Sequence, residues 1–488
     1  MSVPARPVDE YERLRLERVR PANWVNPDPA KRYNLVVIGG GTAGLVSAAG
    51  AAGLGARVAL VERGFLGGDC LNTGCVPSKA LLASARAANP DFGAAMERMR
   101  QIRAEIAAHD SAARFRDLGV DVFLGEARFV ARDAVEIGGA RLDFARAVIA
   151  TGAYPTVPSI PGLSDAGYLT SETVFDMTAM PPRLAVVGGG PIGCELAQAF
   201  ARFGCRVAVI EREERLLPAE DPDASEAIRA ALSADGVELA LGAVLVEVER
   251  TPSGVRMAID EPAGRRSVEA DAVLVAAGRS PNVAGLDLDA AGVKLDDRGR
   301  MRVDDRLRTT NRRIYAAGDV VGGRQFTHLS DAHARIVLRN ALFFGRAKAS
   351  ALTVPECTFT DPEVARVGHT LASAAAAGRR ARAFEHPFDA VDRARLEGEE
   401  QGFARVLVGE GSDAILGATI VGRHAGELIA LVALAIESDA GLADLAGIVW
   451  PYPTHAQVLG VLADQYQRSR LGPRSRGILA RWMAWRRR

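Results

Sequence analysis

Short, unbroken apolar runs punctuate an otherwise mixed chain, and they recur in one setting. Leu35-Val36-Val37-Ile38 has no polar residue on either face, the pattern of a strand buried on both sides of a parallel sheet. It runs into Gly39-Gly40-Gly41-Thr42-Ala43-Gly44, then an alanine-rich helical stretch, then a second strand, Arg57 to Glu62. This order predicts a βαβ unit. The pattern returns in Leu184-Ala185-Val186-Val187, Gly188 to Gly193, a helix over Cys194–Phe203 and a strand Val207–Ile210 closed by Glu211. The two units start 149 residues apart, from Gly39 to Gly188, which is domain spacing. Beyond about 350 the texture changes. Strand-like Gly402–Val408 and Ala414–Val421 precede a helical Ala425–Ile436, an α+β pattern without a glycine fingerprint. Ahead of the first strand, residues 1–33 are polar, with a short helix over Val8–Val19 and then Pro21, Pro27 and Pro29 in an extended segment.

Each glycine has a task in such a unit. Gly39 and Gly188 make the tight turn from strand to helix, and Gly41 and Gly190 let backbone approach a pyrophosphate. Gly44 and Gly193 allow close packing of helix on strand, and the helix N-terminus faces the phosphate. Pro191 suits a first helical turn, where its missing N–H costs nothing. Glu62 and Glu211 end the second strands, placed to hold an adenosine ribose by its hydroxyls. Two complete units in one chain imply two dinucleotides and electron transfer between them. An acid at Glu211 favours NADH over NADPH, although Arg212 and Arg215 are suited to a 2′-phosphate.

Length and composition narrow the class. At 488 residues, the chain has room for about three domains. Its 60 basic and 60 acidic residues leave no net charge to attract a nucleic acid. The longest apolar run, Leu428–Ile436, is nine residues, far short of the ~20 that span a bilayer. The first thirty residues lack the apolar core of an export signal, so a cytoplasmic protein with reduced thiols is expected. Five cysteines are too few for a disulfide scaffold, and a close pair among them points to redox or metal chemistry. Lysine occurs only at 31, 79, 294 and 348, so Lys79, just past that pair, stands out against the arginines.

The pair is Cys70-Leu71-Asn72-Thr73-Gly74-Cys75, followed by Val76-Pro77-Ser78-Lys79. Pro77 fits the first turn of a helix, which puts Cys75 at a helix N-terminus, where dipole and free N–H groups lower a thiol pKa. Lys79 lies one turn on, along the same face. Asn72-Thr73-Gly74 supplies a bend that brings the sulfurs within disulfide reach. Half a zinc site and a pair of inert thiols are the other readings of this spacing; no second Cys or His pair completes a zinc site. Cys194, Cys205 and Cys357 stand singly in apolar contexts and read as packing residues.

With these residues in hand, the chain resembles the class I pyridine nucleotide-disulfide oxidoreductases, the family of dihydrolipoyl dehydrogenase, glutathione reductase and mercuric reductase, over roughly residues 33–465. Gly67-Gly68-Asp69-Cys70 through Lys79 carries the resemblance, with Ala150-Thr151-Gly152, Ala277-Gly278-Arg279-Ser280-Pro281-Asn282 and Ile314 to Asp319 in support. The resemblance implies two Rossmann-like dinucleotide-binding domains plus a C-terminal α+β dimerisation domain. Its parts would be an N-terminal extension over 1–33, an FAD-binding domain in 34–155 and 276–348, an NAD(P)-binding domain in 156–275, a dimerisation domain in 349–465 and a basic tail from 466 to 488. It implies one FAD per subunit, held by Gly39, Gly41, Gly44, Glu62, Thr151, Gly152, Gly278 and Asp319. NADH or NADPH would lie on Gly188, Gly190, Gly193 and Glu211. Cys75 would face the flavin and Cys70 the substrate, with Lys79 paired to Glu195. A homodimer is implied, each active site completed by the partner subunit.

Two departures shape the acceptor. Thiol-substrate members carry His-Pro-Thr-x-x-Glu near the C-terminus, where this chain reads Tyr452-Pro453-Thr454-His455-Ala456-Gln457. A tyrosine, with an ordinary pKa of about 10, is a poor base at neutral pH, and Gln457 cannot steady an imidazolium. His455 is a candidate substitute base, but its neighbouring position points it elsewhere. Tyr452 and Tyr168 are similar instead to tyrosines of mercuric reductases, but no cysteine follows Cys357 to relay a metal. The expected acceptor is a metal ion or a small electrophile or disulfide. The alternatives are a dihydrolipoyl dehydrogenase-like enzyme with altered acid–base residues and a membrane-docked electron-transfer flavoprotein. The last rests on the tail from Gln467, with eight arginines, no acid, and Ile478, Leu479, Trp482 and Trp485 at helical spacing for an anionic membrane surface.

Overall fold

The apolar runs at the two fingerprints become central strands of two parallel sheets in the computed structural model, which describes residues 9–487. In the first sheet Tyr33–Ile38 lies between Val58–Glu62 and Ala140–Ile149, all parallel, with Val120–Leu124 beyond on one side. Ile314–Ala316 joins the far side of Ala140–Ile149, while the start of that strand turns into an antiparallel ribbon with Ala134–Ile137. Every residue of Leu35–Ile38 is buried, as a strand covered on both faces must be. The second sheet runs Glu238–Leu241, Arg206–Glu211, Arg183–Val187, Ala272–Val275, again parallel. An antiparallel meander of Val244–Thr251, Gly254–Glu261 and Gly264–Ala270 packs with it in one core. The two dinucleotide-type sheets are joined by a two-stranded ribbon, Ala153–Pro155 against Arg279–Pro281.

Both sheets fall in one compact unit, 1–212 with 236–352, and the remainder, 213–235 with 353–488, forms another. In the second unit, five antiparallel strands run Pro355–Thr358, Glu363–Gly368, Ile415–Gly422, Phe403–Gly409, Ala381–Pro387. The helices Ala425–Glu437 and Gln457–Arg470 complete its core through Leu428, Val432, Leu459 and Leu462. Membership of 213–235 differs from the sequence expectation, which kept it within 156–275. The cause is electrostatic. Around the helix Pro222–Ala234, Asp221 and Asp223 pair with the buried Arg405, and Glu220 pairs with Arg366 at 2.9 Å. Ionic contacts this distant in sequence leave no periodic signal.

At the N-terminus the helix is Glu10–Val19, capped by Asp9, whose side chain accepts from the Glu12 N–H; Val8, where the expected helix begins, lies outside the described residues. At the other end, Pro473–Arg486 is helical and wholly exposed. Its apolar residues do not form a separate face, because Arg474, Arg481 and Arg486 each stand one turn from Ile478, Trp485 and Trp482. The tail therefore lacks the division of faces that an interfacial helix uses, and the membrane-surface expectation is not carried further. Among the described residues, no helix is long and apolar enough to cross a membrane.

Candidate redox site and its dinucleotide cradles

The first cradle is built by steric necessity. Gly39 has φ +108°, and a Cβ there would meet the Ala150 carbonyl oxygen at 2.2 Å. A Cβ on Gly44 would sit 1.8 Å from the Gly39 oxygen, so the helix Thr42–Gly53 can close on the strand only over glycine. Gly41 faces the Cα of Gly68, because the segment after Glu62 folds back over the turn and the Gly67 N–H donates to the Gly40 oxygen at 2.8 Å. Glu62 accepts from the N–H groups of Gly40 and Gly64, both at 2.5 Å, and burial pushes its carboxyl up. Asp319, at a short 3-10 turn, is likewise pushed up by burial, with Arg279 at 3.8 Å acting against the shift. Bare glycine backbone, a helix N-terminus and a carboxylate at the next strand end fit an adenine dinucleotide such as FAD.

The second cradle repeats the first. A Cβ on Gly193 would meet the Gly188 oxygen at 2.0 Å, and one on Gly188 the Ala276 oxygen at 2.5 Å. Pro191 opens the helix Pro191–Arg202, and Glu211 accepts from the Gly189 N–H at 2.5 Å. Around the Cβ position of Gly190 there is nothing within 4 Å, which leaves room for a pyrophosphate. This donor set fits NAD(P)H. Thr151, Gly152 and Gly278 lie at the connecting ribbon. The Thr151 hydroxyl donates to the Asn282 oxygen at 2.6 Å, Asn282 N–H to Gly152 at 2.9 Å, and Thr156 N–H to Gly278 at 2.8 Å.

Between the cradles stands the cysteine pair. Cys70 lies in the short helix Gly68–Asn72, and Cys75 is the first residue of Cys75–Ala85. Both are free thiols, Cys75 open to solvent and Cys70 half-buried. A hydrogen bond from Cys70 holds the Cys75 thiol down to about 6, against the opposing effect of burial, and Thr327 and Lys79 lower it further. The same bond pushes Cys70 up. The hydrogen bond between the sulfurs thus lowers one thiol and raises the other. Lys79 donates to the buried Glu195 at 2.7 and 3.0 Å, which ties the cysteine helix to the second fingerprint helix. Thr327, 3.3 Å from the Cys75 sulfur, belongs to this site and carries no sequence signal of its role, and Arg279, from the motif at 277–282, pairs with Asp69 beside Cys70. Cys194 and Cys205 are buried, each thiol pushed up by burial, and Cys357 is half-buried against the C-terminal core.

Tyr168 is half-buried against the core of the second sheet. Tyr452 and His455 belong to the C-terminal unit, and the helix Asp392–Glu397 supplies a carboxylate to each. The exposed Tyr452 hydroxyl donates to Asp392 at 3.0 Å, which holds its pKa above the ordinary tyrosine value. His455 is buried, its Nε2 3.0 Å from Glu397 Oε2, and its Nδ1 has no hydrogen-bond partner among the described residues. Glu397 is held down to about 2, first by His455 and then by Arg393. Loss of the motif glutamate at Gln457 is therefore accompanied by a carboxylate from 58 residues upstream.

Residues 33–335 match the family model described as pyridine nucleotide-disulphide oxidoreductase, and 354–463 match its dimerisation domain. The chain is 37% identical to the mercuric reductase of Bacillus cereus over 443 residues, 88% of this chain and 70% of that one. It is 35% identical to the dihydrolipoyl dehydrogenase of Haloferax volcanii over 461 residues, 90% and 97% respectively. Among solved structures, the HOCl-induced flavoprotein disulfide reductase RclA of Escherichia coli, solved as a Cu(II) complex, superposes with a TM-score of 0.83 at 31% identity. That match covers 89% of this chain and 100% of RclA.

Proposed function

The chain belongs to the pyridine nucleotide-disulphide oxidoreductase family, whose members are FAD-dependent and use NAD(P)H, and from that premise we propose that it reduces a thiophilic metal ion at Cys70. The observation that carries this reading is Tyr452. At the position where thiol-substrate relatives place a base, this chain holds a phenol whose proton is bound to Asp392 and whose pKa is raised. Such a group does not deprotonate a substrate thiol at neutral pH. A metal ion needs no base there: it exchanges onto a thiolate, and the pair Cys70 and Cys75 supplies two sulfurs. When bound, FAD would lie on Gly39, Gly41, Gly44 and Glu62 and would supply two-electron transfer between the nicotinamide and the Cys70–Cys75 disulfide. The chain's own residues do the rest. Lys79 and Glu195 fix the cysteine helix against the nucleotide helix, Cys75 offers its lowered thiol to the metal first, and Cys70 releases its proton to solvent as its sulfur bonds the ion. One electron pair reduces one Hg(II) to Hg(0) or two Cu(II) to Cu(I). The similarity to mercuric reductases, and a structural neighbour solved with Cu(II), support this class of acceptor.

One observation favours a second reading, a small disulfide acceptor as in dihydrolipoyl dehydrogenase. His455 with Glu397 is a histidine–carboxylate dyad, and such a dyad can hold the proton of a substrate thiol. The dimerisation-domain match supports a homodimer in either case.

Anaerobic reduction with NADH and with NADPH, followed by Hg(II), Cu(II), lipoamide and glutathione disulfide, separates the two. Metal-dependent reoxidation that survives His455→Ala and is lost in Cys70→Ser is expected. Turnover of lipoamide alone, abolished by His455→Ala, overturns the metal reading. Reoxidation by every acceptor in Cys70→Ser removes the pair from catalysis altogether.

A further inference from the structure

The strand Ile314–Ala316 leaves the first sheet at Ala317, whose N–H still donates to the Ile149 oxygen at 3.0 Å. The chain then turns into Gly318–Val321, the short 3-10 helix that carries Asp319. Gly318 is buried with φ +78°, and a Cβ there would meet the Ser330 Oγ at 2.9 Å and the Ala43 Cβ at 3.2 Å. The turn is therefore wedged between the first fingerprint helix, Thr42–Gly53, and the helix Thr327–Leu342. The first N–H groups of a helix have no acceptor within it, and a buried one left unmet is costly.

Here a side chain meets it: the Gly318 N–H donates to Nδ1 of His333 at 3.3 Å. His333 is 7% exposed, and burial holds its pKa down to about 4. The ring is therefore neutral at neutral pH and accepts at one nitrogen, which a charged imidazole, with N–H on both, cannot do. Two other residues on the same side of this helix, Thr327 and Ser330, precede His333 at intervals of three. Thr327 lies 3.3 Å from the Cys75 sulfur, and the Ser330 hydroxyl bonds the Asp319 carboxylate. One helical stripe thus touches the thiol, the carboxylate and the peptide just before that carboxylate. The charge of Cys75 also acts on Asp319, so thiol and carboxylate stand near each other.

We propose that His333 is a positioning residue for the flavin: by accepting from the Gly318 N–H it fixes the peptide that leads into Asp319, and so aims the Asp319 carboxylate at a cofactor in the first cradle. The proposal rests on the reading of Asp319 as a flavin contact. His333 acts through Asp319, and its worth to flavin binding depends on where its acceptor atom stands and on the carboxylate being there to aim.

The test compares two neutral amides in the full-length holoenzyme. His333→Asn puts an acceptor oxygen where Nδ1 stands, and His333→Gln carries it further out, to where Nε2 stands. Serial dilution of each holoenzyme, with free flavin read by its fluorescence, gives Kd for FAD. His333→Asn is expected to stay within about threefold of the parent, and His333→Gln to raise Kd about tenfold. A double-mutant cycle with Asp319→Ala asks whether His333 acts through the carboxylate. The effect of His333→Gln should then fall below about twofold, because nothing is left to aim. Asn and Gln variants that bind flavin alike, or an undiminished His333→Gln effect beside Asp319→Ala, overturns the proposal. Should His333→Gln yield no holoenzyme, nitrogen-15 spectra of the imidazoles at neutral pH decide. One ring, missing from His333→Asn, should show a bare Nδ1 and a proton on Nε2, and a proton on Nδ1 overturns the proposal. If Asp319→Ala alone leaves Kd for FAD unchanged, the reading of Asp319 as a flavin contact fails, and the proposal with it.

Discussion

The two glycine fingerprints share strand, turn, helix and terminal glutamate, and differ in what lies over the turn. Over the first, the chain folds back: Leu66 reaches Gly40, Gly68 faces Gly41, and Glu62 binds N–H groups on both the turn and the returning segment. Over the second, the space beside Gly190 is clear to 4 Å. A dinucleotide on the first turn lies beneath the loop that carries Cys70, whereas one on the second meets no such cover. The two turns thus differ in cover, the first closed over by the returning segment and the second open, although the two motifs look alike in the sequence. The segment that covers the first turn is also the one that leads into Cys70 and Cys75.

The harshest way to break this comparison is to fill the third glycine of each turn. In Gly44→Ala and Gly193→Ala the new methyl lands 1.8 and 2.0 Å from a backbone oxygen, so strand and helix must part, at a cost of about 3 kcal/mol or more. Gly44→Ala should purify without flavin and melt well below the parent. Gly193→Ala should keep its flavin absorbance and lose reduction by NADH and NADPH. Equal loss of flavin in both, measured by absorbance after gel filtration, would erase the distinction between the cradles.

A smaller change acts on the cover alone. Gly68 has φ +56°, and a Cβ there would meet the Gly41 Cα at 2.6 Å. Gly68→Ala should lift the covering loop and raise the rate of flavin release roughly tenfold, about 1.4 kcal/mol of retention. Among the described residues, nothing lies within 4 Å of the corresponding position at Gly190. Flavin release at the parental rate would mean the cover does not retain it.

What was legible in the sequence is whatever a local rule enforces. Gly39 and Gly44 are demanded by φ and by a carbonyl a few residues away, and Cys75, Pro77 and Lys79 by the start of a single helix. These positions could be read from spacing. Glu397 could not: it meets His455 across 58 residues through tertiary packing, and nothing in its own neighbourhood marks it as a partner. The same holds for Arg15 and Asn72, 57 residues apart, and for Arg405, which draws the segment around Asp221 into the C-terminal unit. The basic tail failed in the opposite direction. Its apolar residues do recur at helical spacing, but the arginines recur on the same strip, and a list of apolar positions alone hides that.

Between the two strand-end acids a milder contrast is expected. The Glu62 carboxylate accepts from two backbone N–H groups, one oxygen each, and an amide can accept at only one. Glu62→Gln leaves a buried N–H facing an NH2 group, at about 1–3 kcal/mol, and should lower flavin content with little change in the NADH KM. Glu211→Gln should do the reverse, raising KM for NADH several-fold and narrowing the preference over NADPH. Steady-state kinetics with both nucleotides and flavin quantitation read the two effects apart.

The smallest effect belongs to Gly190→Ala. Its φ is −76°, open to any residue, and its new methyl meets no atom within 4 Å. Alanine is a poorer N-cap than glycine, but by no more than about 1 kcal/mol, so the melting temperature should fall by about 2 °C or less. What the methyl does occupy is the space a pyrophosphate would use against bare backbone. That removes binding shared by ground and transition states, so KM for NADH should rise with kcat unchanged. Gly41→Ala is the matched control, its methyl in ordinary contact with Gly68 at 3.6 Å, and it should act on flavin content rather than on KM. An unchanged KM in Gly190→Ala would mean that the open second turn is not where the nicotinamide nucleotide lies.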